Sequence, residues 1–381
     1  MRPNDAMHIG HYHGAVKHWV YLQHEYDCYF CVNDWQALAQ AKEAHHAIAH
    51  NSQSMLINWL AAGIKPGSAT LFLQSHVPEL AELHVLLSMM GVAQWQALQE
   101  QQDDKPYHSL TSDLLVSTQM LAFRAGHVWR SDRSMLSVHL AQALAKSFNQ
   151  YYGAEQDYER NVQSALMRLG KKVAGLYSSL RKEYVARGDQ EALATAQVLV
   201  RDQQSIALAD KERLLGYLEG GGKTVLHEPR VFNIDAPTLP GADGQRMTLA
   251  ATNRILLRAD EDSVHKVVRN MPTDPNRIHL ADVGEPEACA VGQWHRVYQT
   301  QEGYAEVVTG CHAATLACSD CKKTLACFIS EEQERLRQQA KPYLDDLGYL
   351  NTILADGAEK ARDEVQETLR DVRAAMGLLR V

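Results

Sequence analysis

Two histidines near the start of the chain, His8 and His11, are the residues best suited to chemistry, and Ile9 and Gly10 separate them. An imidazole N–H donates hydrogen bonds to phosphate oxygens, and a helix N-terminus binds anions through its backbone N–H groups and its dipole. Apolar residues downstream fall at helical spacing, so the motif is predicted to open a helix. Gly10 has no side chain, so a ligand can approach the backbone there. The motif therefore predicts a site for a phosphate group.

A second group consists of four cysteines late in the chain, Cys289, Cys311, Cys318 and Cys321. Four thiolates of one site bind either zinc or an iron–sulfur cluster. Five of the seven cysteines fall between Cys289 and Cys327, which is unlike the spread of a secreted disulfide framework. We therefore expect a metal site here, with Cys327 outside the ligand set.

Two other patterns have simpler interpretations. Cys28 and Cys31 lie in the apolar run 26–32, which predicts a buried strand with both cysteines packed in it. The run Gly220–Thr224 is similar to a phosphate loop, but Tyr217 stands where that loop needs its first glycine. We expect a turn at this position.

Composition sets broad limits on the class of protein. The chain has 381 residues and a net charge of −8, which argues against wrapping nucleic acid with its whole surface. It has neither an apolar run of about 20 residues nor a secretory signal pattern, so we expect a cytoplasmic protein that does not enter a membrane. Local basic residues either contact phosphates or form a solvated face. They are Lys322, Lys323, Lys360, Arg362, Arg370 and Arg373.

Strand and helix patterns alternate through the first 150 residues, with strands predicted at 26–32 and 69–74. This alternation is typical of a parallel α/β sheet. Helical stretches at 171–187 and 190–213 predict an inserted helical hairpin, and the chain is mainly helical from about residue 260. The predicted parts are a catalytic domain at 1–152 and 230–259, the hairpin at 153–229, and a helical domain at 260–381.

The chain resembles the tryptophanyl-tRNA synthetases, class I enzymes that use ATP and Mg²⁺ to charge tRNA. The similarity covers essentially the whole chain. The segments that carry it are Met1–Pro3, His8–Gly14, Asn33–Leu38, Trp59–Gly63, Gln74–Glu79, Arg124–Gly126, Gly241–Gln245 and Met271–Pro275. The resemblance implies a Rossmann-like parallel sheet with an inserted helical hairpin and a helical C-terminal, anticodon-binding-type domain. It also implies a homodimer, with tryptophan and tRNA as partners.

The same resemblance assigns roles around the nucleotide. Pro3, His8, Gly10 and His11 are expected to bind ATP, with the two histidines donating to its phosphates. Residues 246–250 stand where the family has Lys-Met-Ser-Lys-Ser. There Arg246 keeps a cation, Met247 is retained, Thr248 keeps a hydroxyl and Leu249 replaces the second lysine. Arg246 and Thr248 therefore join the expected catalytic residues, and Arg246 and Met247 join the nucleotide site.

The amino-acid pocket departs from the family pattern. The expected substrate-binding residues are Ser112, Val116, Gln119 and Ser134. Gln119 stands where the family has an aspartate for the indole N–H, and its carbonyl oxygen still accepts such a hydrogen bond. Arg133 places positive charge where a carboxylate is expected, which would repel the substrate ammonium unless it turns away.

The resemblance favours a [4Fe–4S] cluster on the four cysteines, with Zn²⁺ as the alternative. The family also has a central strand before its histidine motif, whereas only seven residues precede His8. Because losing a central strand is costly, we expect the true start to lie upstream.

The function expected from these observations is tryptophan–tRNA ligation: tryptophan and ATP give the adenylate, and tryptophan then passes to tRNA. Two alternatives stay open at this point. One is a synthetase for a different amino acid, suggested by Ser112 and Gln119. The other is a catalytically impaired paralogue that binds tRNA or a ligand, suggested by Leu249 and Arg133.

Overall fold

The structure is a computed structural model that describes residues 1–38, 45–90, 107–129, 135–153, 157–232, 239–247 and 253–378. The chain forms two compact units. Unit 1 comprises Met1–His76 with Asp235–Ala361, and unit 2 comprises Val77–Ile234 with Arg362–Val381. The division into four parts stays a prediction.

Unit 1 contains the histidine motif (His8–His11) and the four cysteines. Its elements are α1 (Ile9–His11), a π-helical turn (Tyr12–Val16), α2 (Lys17–Leu22), β1 (Cys28–Val32), α3 (Asp34–Leu38), α4 (Ile48–Ala62), β2 (Ala69–Leu73), α12 (Glu261–Arg269), α13 (Ala290–Tyr298), α14 (Gln301–His312), α15 (Cys318–Asp345) and the first part of α16 (Leu347–Ala375). The helices α5 to α11 and the strands β3 and β4 belong to unit 2.

The two strands predicted in the first 76 residues are confirmed. β1 and β2 pair in parallel, with Cys28 opposite Ala69 and Val32 opposite Leu73. Parallel strands covered on both faces favour apolar runs, and Val32 and Phe72 are fully buried. The preceding helix, α4, ends before Gly63, whose φ of 110° is the left-handed conformation that suits a glycine C-cap.

The helix predicted from the histidine motif is present, but it is not uniformly α-helical. After one α-helical turn the chain forms a π-helical turn over Tyr12–Val16 and then returns to α-helix. Single π turns inside α-helices are rare and occur often at functional sites. Here the π turn follows His11 directly.

The long helix α15 organises the helical part of unit 1, where it packs against α4, α12 and α13. Leu325, Ile329 and Leu336 on α15 are buried, with spacings of four and seven residues that place them on one face. The predicted predominance of helix after residue 260 is confirmed.

Helix α16 crosses β2 at very close range. A Cβ atom built on Gly357 would lie only 1.9 Å from the carbonyl oxygen of Leu71 and 2.8 Å from its carbonyl carbon. Only a residue without a side chain allows the backbones of the helix and the strand to approach in this way.

Unit 2 contains the remaining elements. They are α5 (Glu79–Ser88), α6 (Tyr107–Ala122), β3 (His127–Trp129), α7 (Met135–Tyr152), α8 (Tyr158–Arg168), α9 (Lys171–Arg187), α10 (Gln190–Arg201), α11 (Leu208–Leu218), β4 (Arg230–Phe232) and the end of α16. β3 and β4 pair in parallel, with His127 opposite Arg230.

The inserted helical region is more elaborate than a hairpin. Between residues 157 and 232, all of which are described, the chain forms the four helices α8 to α11. The stretch 190–213, predicted as one helix, breaks at residues 202–207, where Ile206 turns into the shared core of the four helices. The segment contains neither glycine nor proline, so the break follows from burial of Ile206 and not from a local breaker.

The turn predicted at Gly220–Thr224 is confirmed. Lys223 forms an ion pair with Glu212, with Nζ 2.9 Å from the carboxylate, and its backbone N–H donates to the carbonyl of Gly153. Its side chain is thus committed to a structural contact and not to a phosphate. Across the described residues, no helix is both long and apolar enough to cross a membrane.

Candidate functional site

The histidine motif, His8–His11, lies where the N-terminal segment pairs with the chain after residue 253. His8 forms an antiparallel bridge with Leu256, and the Ile9 N–H donates to the carbonyl of Ile255 at 3.0 Å. The Leu257 N–H donates in turn to the carbonyl of Met7. These bonds fix the start of α1 beside the segment that follows the loop at residues 246–250. Pro3 is buried in the same N-terminal segment.

The His8 and His11 rings lie against each other, with their centroids 3.8 Å apart. Burial, aided by the other imidazole and by Arg254, lowers the pKa of His8 to about 3. Burial, aided by the charge of Arg254, lowers the pKa of His11 to about 4. Both side chains are therefore neutral at pH 7 and offer N–H donors, not positive charge.

The tautomer of His11 follows from its contact with the backbone. The His8 backbone N–H donates to Nδ1 of His11 over 3.3 Å, so that nitrogen is an acceptor. In the neutral ring the proton must then lie on Nε2, which becomes the donor. Nδ1 of His8 is buried and has no partner among the described residues. Such an atom costs free energy until a ligand or water satisfies it.

Gly10 is required by two neighbours at once. A Cβ atom on Gly10 would lie 2.9 Å from Sδ of Met247 and 3.0 Å from the His8 ring. The structure thus brings Met247 against Gly10 of the histidine motif. Its place in a nucleotide site stays a prediction. Thr248 and Leu249 lie outside the described residues.

Asn253 makes side-chain hydrogen bonds to the segment 243–246. Its amide donates to the Asp243 carboxylate at 2.9 Å and to the backbone carbonyl of Arg246 at 3.2 Å. The Arg246 side chain is exposed. Arg246, a cation of the expected catalytic set, therefore lies in a segment whose backbone is held by a side-chain hydrogen bond.

Sequence patterns do not identify Arg254, which the structure places beside both histidines. Its Nη2 donates to Asp5 at 2.5 Å, and its side chain is 15 % exposed. An isolated arginine outside any motif gives no signal in a single sequence. Only the pairing of residues 7–9 with 255–257 brings it to the site.

A buried polar network holds the π turn from the other side. Nε2 of His13 lies 3.2 Å from Oε2 of Glu332, and the Tyr298 hydroxyl donates to the same oxygen at 3.1 Å. His13 is 1 % exposed, and its ring packs edge-on against Tyr298. The neighbouring Tyr12 hydroxyl accepts a hydrogen bond from Arg335. Glu332 on α15 and Tyr298 on α13 thus fix the segment that follows His11.

This network predicts a stability effect at Glu332. Changing Glu332 to Ala leaves His13 and Tyr298 buried without their shared acceptor, which should lower the free energy of unfolding by about 1–3 kcal/mol. Glu332→Gln keeps an oxygen acceptor there and should lose less. Urea denaturation measures the stability of both Glu332 variants. The control is Glu331→Gln, at the exposed neighbouring residue. Equal midpoints for Glu332→Ala and the control would contradict the role of the network.

The expected amino-acid pocket lies in unit 2. Ser112, Val116 and Gln119 are spaced for one face of α6, and Ser112 is 8 % exposed. The helix is tied to α7 by the Ser117 hydroxyl, which donates to the carbonyl of Ser137 at 2.7 Å. Ser134, like Arg133, lies outside the described residues.

The four cysteines of the predicted metal site come from three helices and their caps. Cys289 caps α13, Cys311 lies near the end of α14, and Cys318 and Cys321 occupy the first turn of α15. Burial and the other three thiols raise the pKa of Cys321 to about 12. All four are partly buried, whereas Cys327 is exposed.

Two basic side chains contact these thiols. The Arg277 guanidinium donates to Sγ of Cys311 at 3.5 Å, and Nε2 of His295 lies 3.3 Å from Sγ of Cys321. The side chains of the described residues nevertheless form no group of three or more His, Cys, Asp or Glu placed to hold a metal ion.

Most of the basic residues considered for phosphate contacts have other partners. Lys322 donates to the carbonyls of Arg269 and Met271, and Lys323 pairs with Asp320. The arginines of α16 pair with nearby carboxylates in the same way. These pairs are Arg362 with Glu79, Arg370 with Glu367, and Arg373 with Glu82. These pairings favour a structural or solvated role for the five basic residues over contacts with phosphates.

Comparisons with known proteins agree on one group. The family model described as "tRNA synthetases class I (W and Y)" matches residues 1–113. A tryptophan–tRNA ligase of Ralstonia nicotianae is 42% identical over 389 residues, covering 99% of this chain and 97% of that protein. One from Aquifex aeolicus is 27% identical, covering 99% and 98%. The solved tryptophanyl-tRNA synthetase of Campylobacter jejuni, complexed with ADP and tryptophan, superposes with a TM-score of 0.70 at 18% identity, covering 99% and 98% of the chains.

Proposed function

Because the chain belongs to the tryptophanyl-tRNA synthetases of class I, we propose that it activates tryptophan with ATP and transfers it to tRNA. The observation that carries the proposal is the paired, neutral imidazoles at the start of α1, against which Met247 of the loop packs. The alternatives of a different amino acid and of a non-catalytic relic are not favoured, since a relative with 42% identity over almost its whole length is a tryptophan–tRNA ligase.

In the proposed reaction a carboxylate oxygen of tryptophan attacks the α-phosphorus of ATP. The bond from that phosphorus to the bridging oxygen breaks, and pyrophosphate leaves with the electron pair and the negative charge. Nε2–H of His11 and the His8 ring donate to the phosphate oxygens, and this stabilisation by pre-positioned donors is usually the largest catalytic effect. Mg²⁺ accompanies the nucleotide. Arg246 and Thr248 are proposed to act on the same phosphates from the loop.

The test is ATP–pyrophosphate exchange measured with each of the twenty amino acids. Exchange that depends on tryptophan is the expected result. Exchange with another amino acid would replace tryptophan as the substrate, and exchange with none would reject the proposed activity. Charging of tRNA with labelled tryptophan then tests the second step.

We also propose that Cys289, Cys311, Cys318 and Cys321 hold a [4Fe–4S] cluster with a structural role. Four thiolates bind either zinc or an iron–sulfur cluster. The family resemblance favours the cluster. The Arg277 N–H directed at Cys311 supports the assignment, because hydrogen bonds to sulfur stabilise the charge of such centres.

If the four cysteines hold the cluster, we expect anaerobically purified protein to be brown, with broad absorbance near roughly 400 nm. Cys318→Ser should lose the colour and most of the iron, whereas Cys327→Ser, outside the ligand set, should keep both. Iron and zinc are measured together by elemental analysis. A colourless protein with one equivalent of zinc would replace the cluster by the Zn²⁺ alternative.

The remaining proposals concern assembly and location. We propose a homodimer that works in the cytoplasm on tRNA. Sedimentation of the purified protein tests the oligomeric state, for which a mass of twice 42.6 kDa is expected.

A further inference from the structure

Arg254 lies at the nucleotide site without belonging to either sequence motif. It directly follows Asn253, which donates to the Arg246 carbonyl, and precedes Ile255, whose carbonyl accepts from Ile9. This pairing places residue 254 across from the start of α1. We propose that the Arg254 guanidinium binds the triphosphate of ATP and stabilises the leaving pyrophosphate, taking over the charge of the lysine that Leu249 replaces. This inference rests on the proposed function.

The hydrogen bonding of Arg254 is incomplete. Nη2 is held by Asp5 at 2.5 Å, whereas Nη1 is buried and has no partner among the described residues. A buried donor without an acceptor costs free energy, and the cost is greater when the group is charged. A phosphate oxygen is the acceptor that would satisfy it best, because charge-assisted hydrogen bonds from guanidinium to phosphate are among the strongest in proteins.

The nearby unsatisfied atoms point to the same ligand. Nδ1 of His8 is also buried without a partner among the described residues. The charge of Arg254 reaches both rings, since after burial it is one of the causes that lower the pKa of His8 and of His11. Two neutral rings and one cation with an open donor form a site for an anion.

The chemistry requires positive charge at this place. As the bond from the α-phosphorus to the bridging oxygen breaks, negative charge builds up on pyrophosphate, and neutral imidazoles do not neutralise it. The family uses two loop lysines for this purpose, and in this chain Arg246 supplies one cation while Leu249 supplies none. Arg254 restores the second charge. The geometry assigns Asp5 the task of orienting the guanidinium.

The experiment measures tryptophan-dependent ATP–pyrophosphate exchange in four variants of the full chain. Arg254→Met should lower kcat about 10²-fold, the usual loss for one transition-state donor, and change the KM for tryptophan less than twofold. Arg254→Lys keeps the charge and should recover at least tenfold of this loss. Adding Leu249→Lys to Arg254→Met should also recover at least tenfold. Arg269→Met, at an exposed arginine of the same unit, is the matched control and should behave as wild type.

Two results would overturn the inference. One is an Arg254→Met protein with wild-type kcat. The other is a loss in Arg254→Met that neither Arg254→Lys nor the added Leu249→Lys recovers, since the effect would then not depend on the positive charge. The thermal midpoint of each variant shows that the protein is folded.

Failure of the proposed function is separable from failure of this inference. If wild type exchanges with no amino acid, binding of a non-hydrolysable ATP analogue to the same variants decides. Weaker binding to Arg254→Met than to Arg269→Met supports the inference, and equal binding overturns it.

Discussion

Replacing His11 with alanine is expected to lower tryptophan-dependent ATP–pyrophosphate exchange by about 10²–10³-fold, while the protein stays folded. The reason is specific to one atom. Nδ1 of His11 already accepts the His8 backbone N–H, so Nε2–H is the donor that we propose for the phosphates. Since burial holds the pKa of His11 near 4, the ring acts as a neutral donor through the whole pH range of the assay.

Substituting His11 with Gln or with Asn tests which ring nitrogen is the donor, because the two amide side chains differ in length. His11→Gln carries its amide nitrogen about as far from the backbone as Nε2 and should recover part of the rate. His11→Asn carries it near the position of Nδ1 and should not. His24→Ala, at an exposed histidine after α2, is the matched control. A His11→Ala rate within about threefold of wild type would contradict the donor role.

A large loss of stability is expected from Gly357→Ala. Its new Cβ would lie 1.9 Å from the Leu71 carbonyl oxygen, far inside van der Waals contact. The clash involves the backbone of β2, which cannot rotate away as a side chain does, so α16 has to move off the strand. We expect a loss of about 3 kcal/mol or more in the free energy of unfolding, at the upper end for overpacked sites.

A second glycine provides the matched comparison. Gly175 lies within α9, and a Cβ atom there meets nothing within 4 Å. Gly175→Ala should therefore stabilise the protein by up to about 1 kcal/mol, through the better helix propensity of alanine. Urea denaturation of both variants measures the contrast. Similar midpoints would show that α16 accommodates a methyl group against β2.

Local patterns predict the elements whose signals are local. The apolar runs at 26–32 and 69–74 become the paired strands β1 and β2, because continuous apolar residues fit a strand covered on both faces. The histidine motif begins a helix as predicted. The spacing of the four cysteines and the family resemblance together predict one site for them, and that site stays a prediction.

Features set by distant residues could not be predicted in this way. The π turn depends on His13 and Glu332, which are 319 positions apart. Arg254 reaches the histidines only through backbone pairing with the N-terminal segment. The break before α11 follows from burial of Ile206 in a core made by other helices. Each depends on a tertiary contact that leaves no periodicity and no turn residue in the sequence.

The geometry of α15 limits how this chain can change in length during evolution. Cys318 and Cys321 occupy its first turn, and Glu332, on the same continuous helix, meets His13. One inserted residue between Cys321 and Glu332 would turn every later side chain by about 100° and advance it by about 1.5 Å, so the carboxylate would leave His13. An insertion of seven residues restores the angle but moves the carboxylate about 10 Å along the axis. The sequence between these two points is therefore closed to insertion or deletion, and its buried positions Leu325 and Ile329 must also stay apolar.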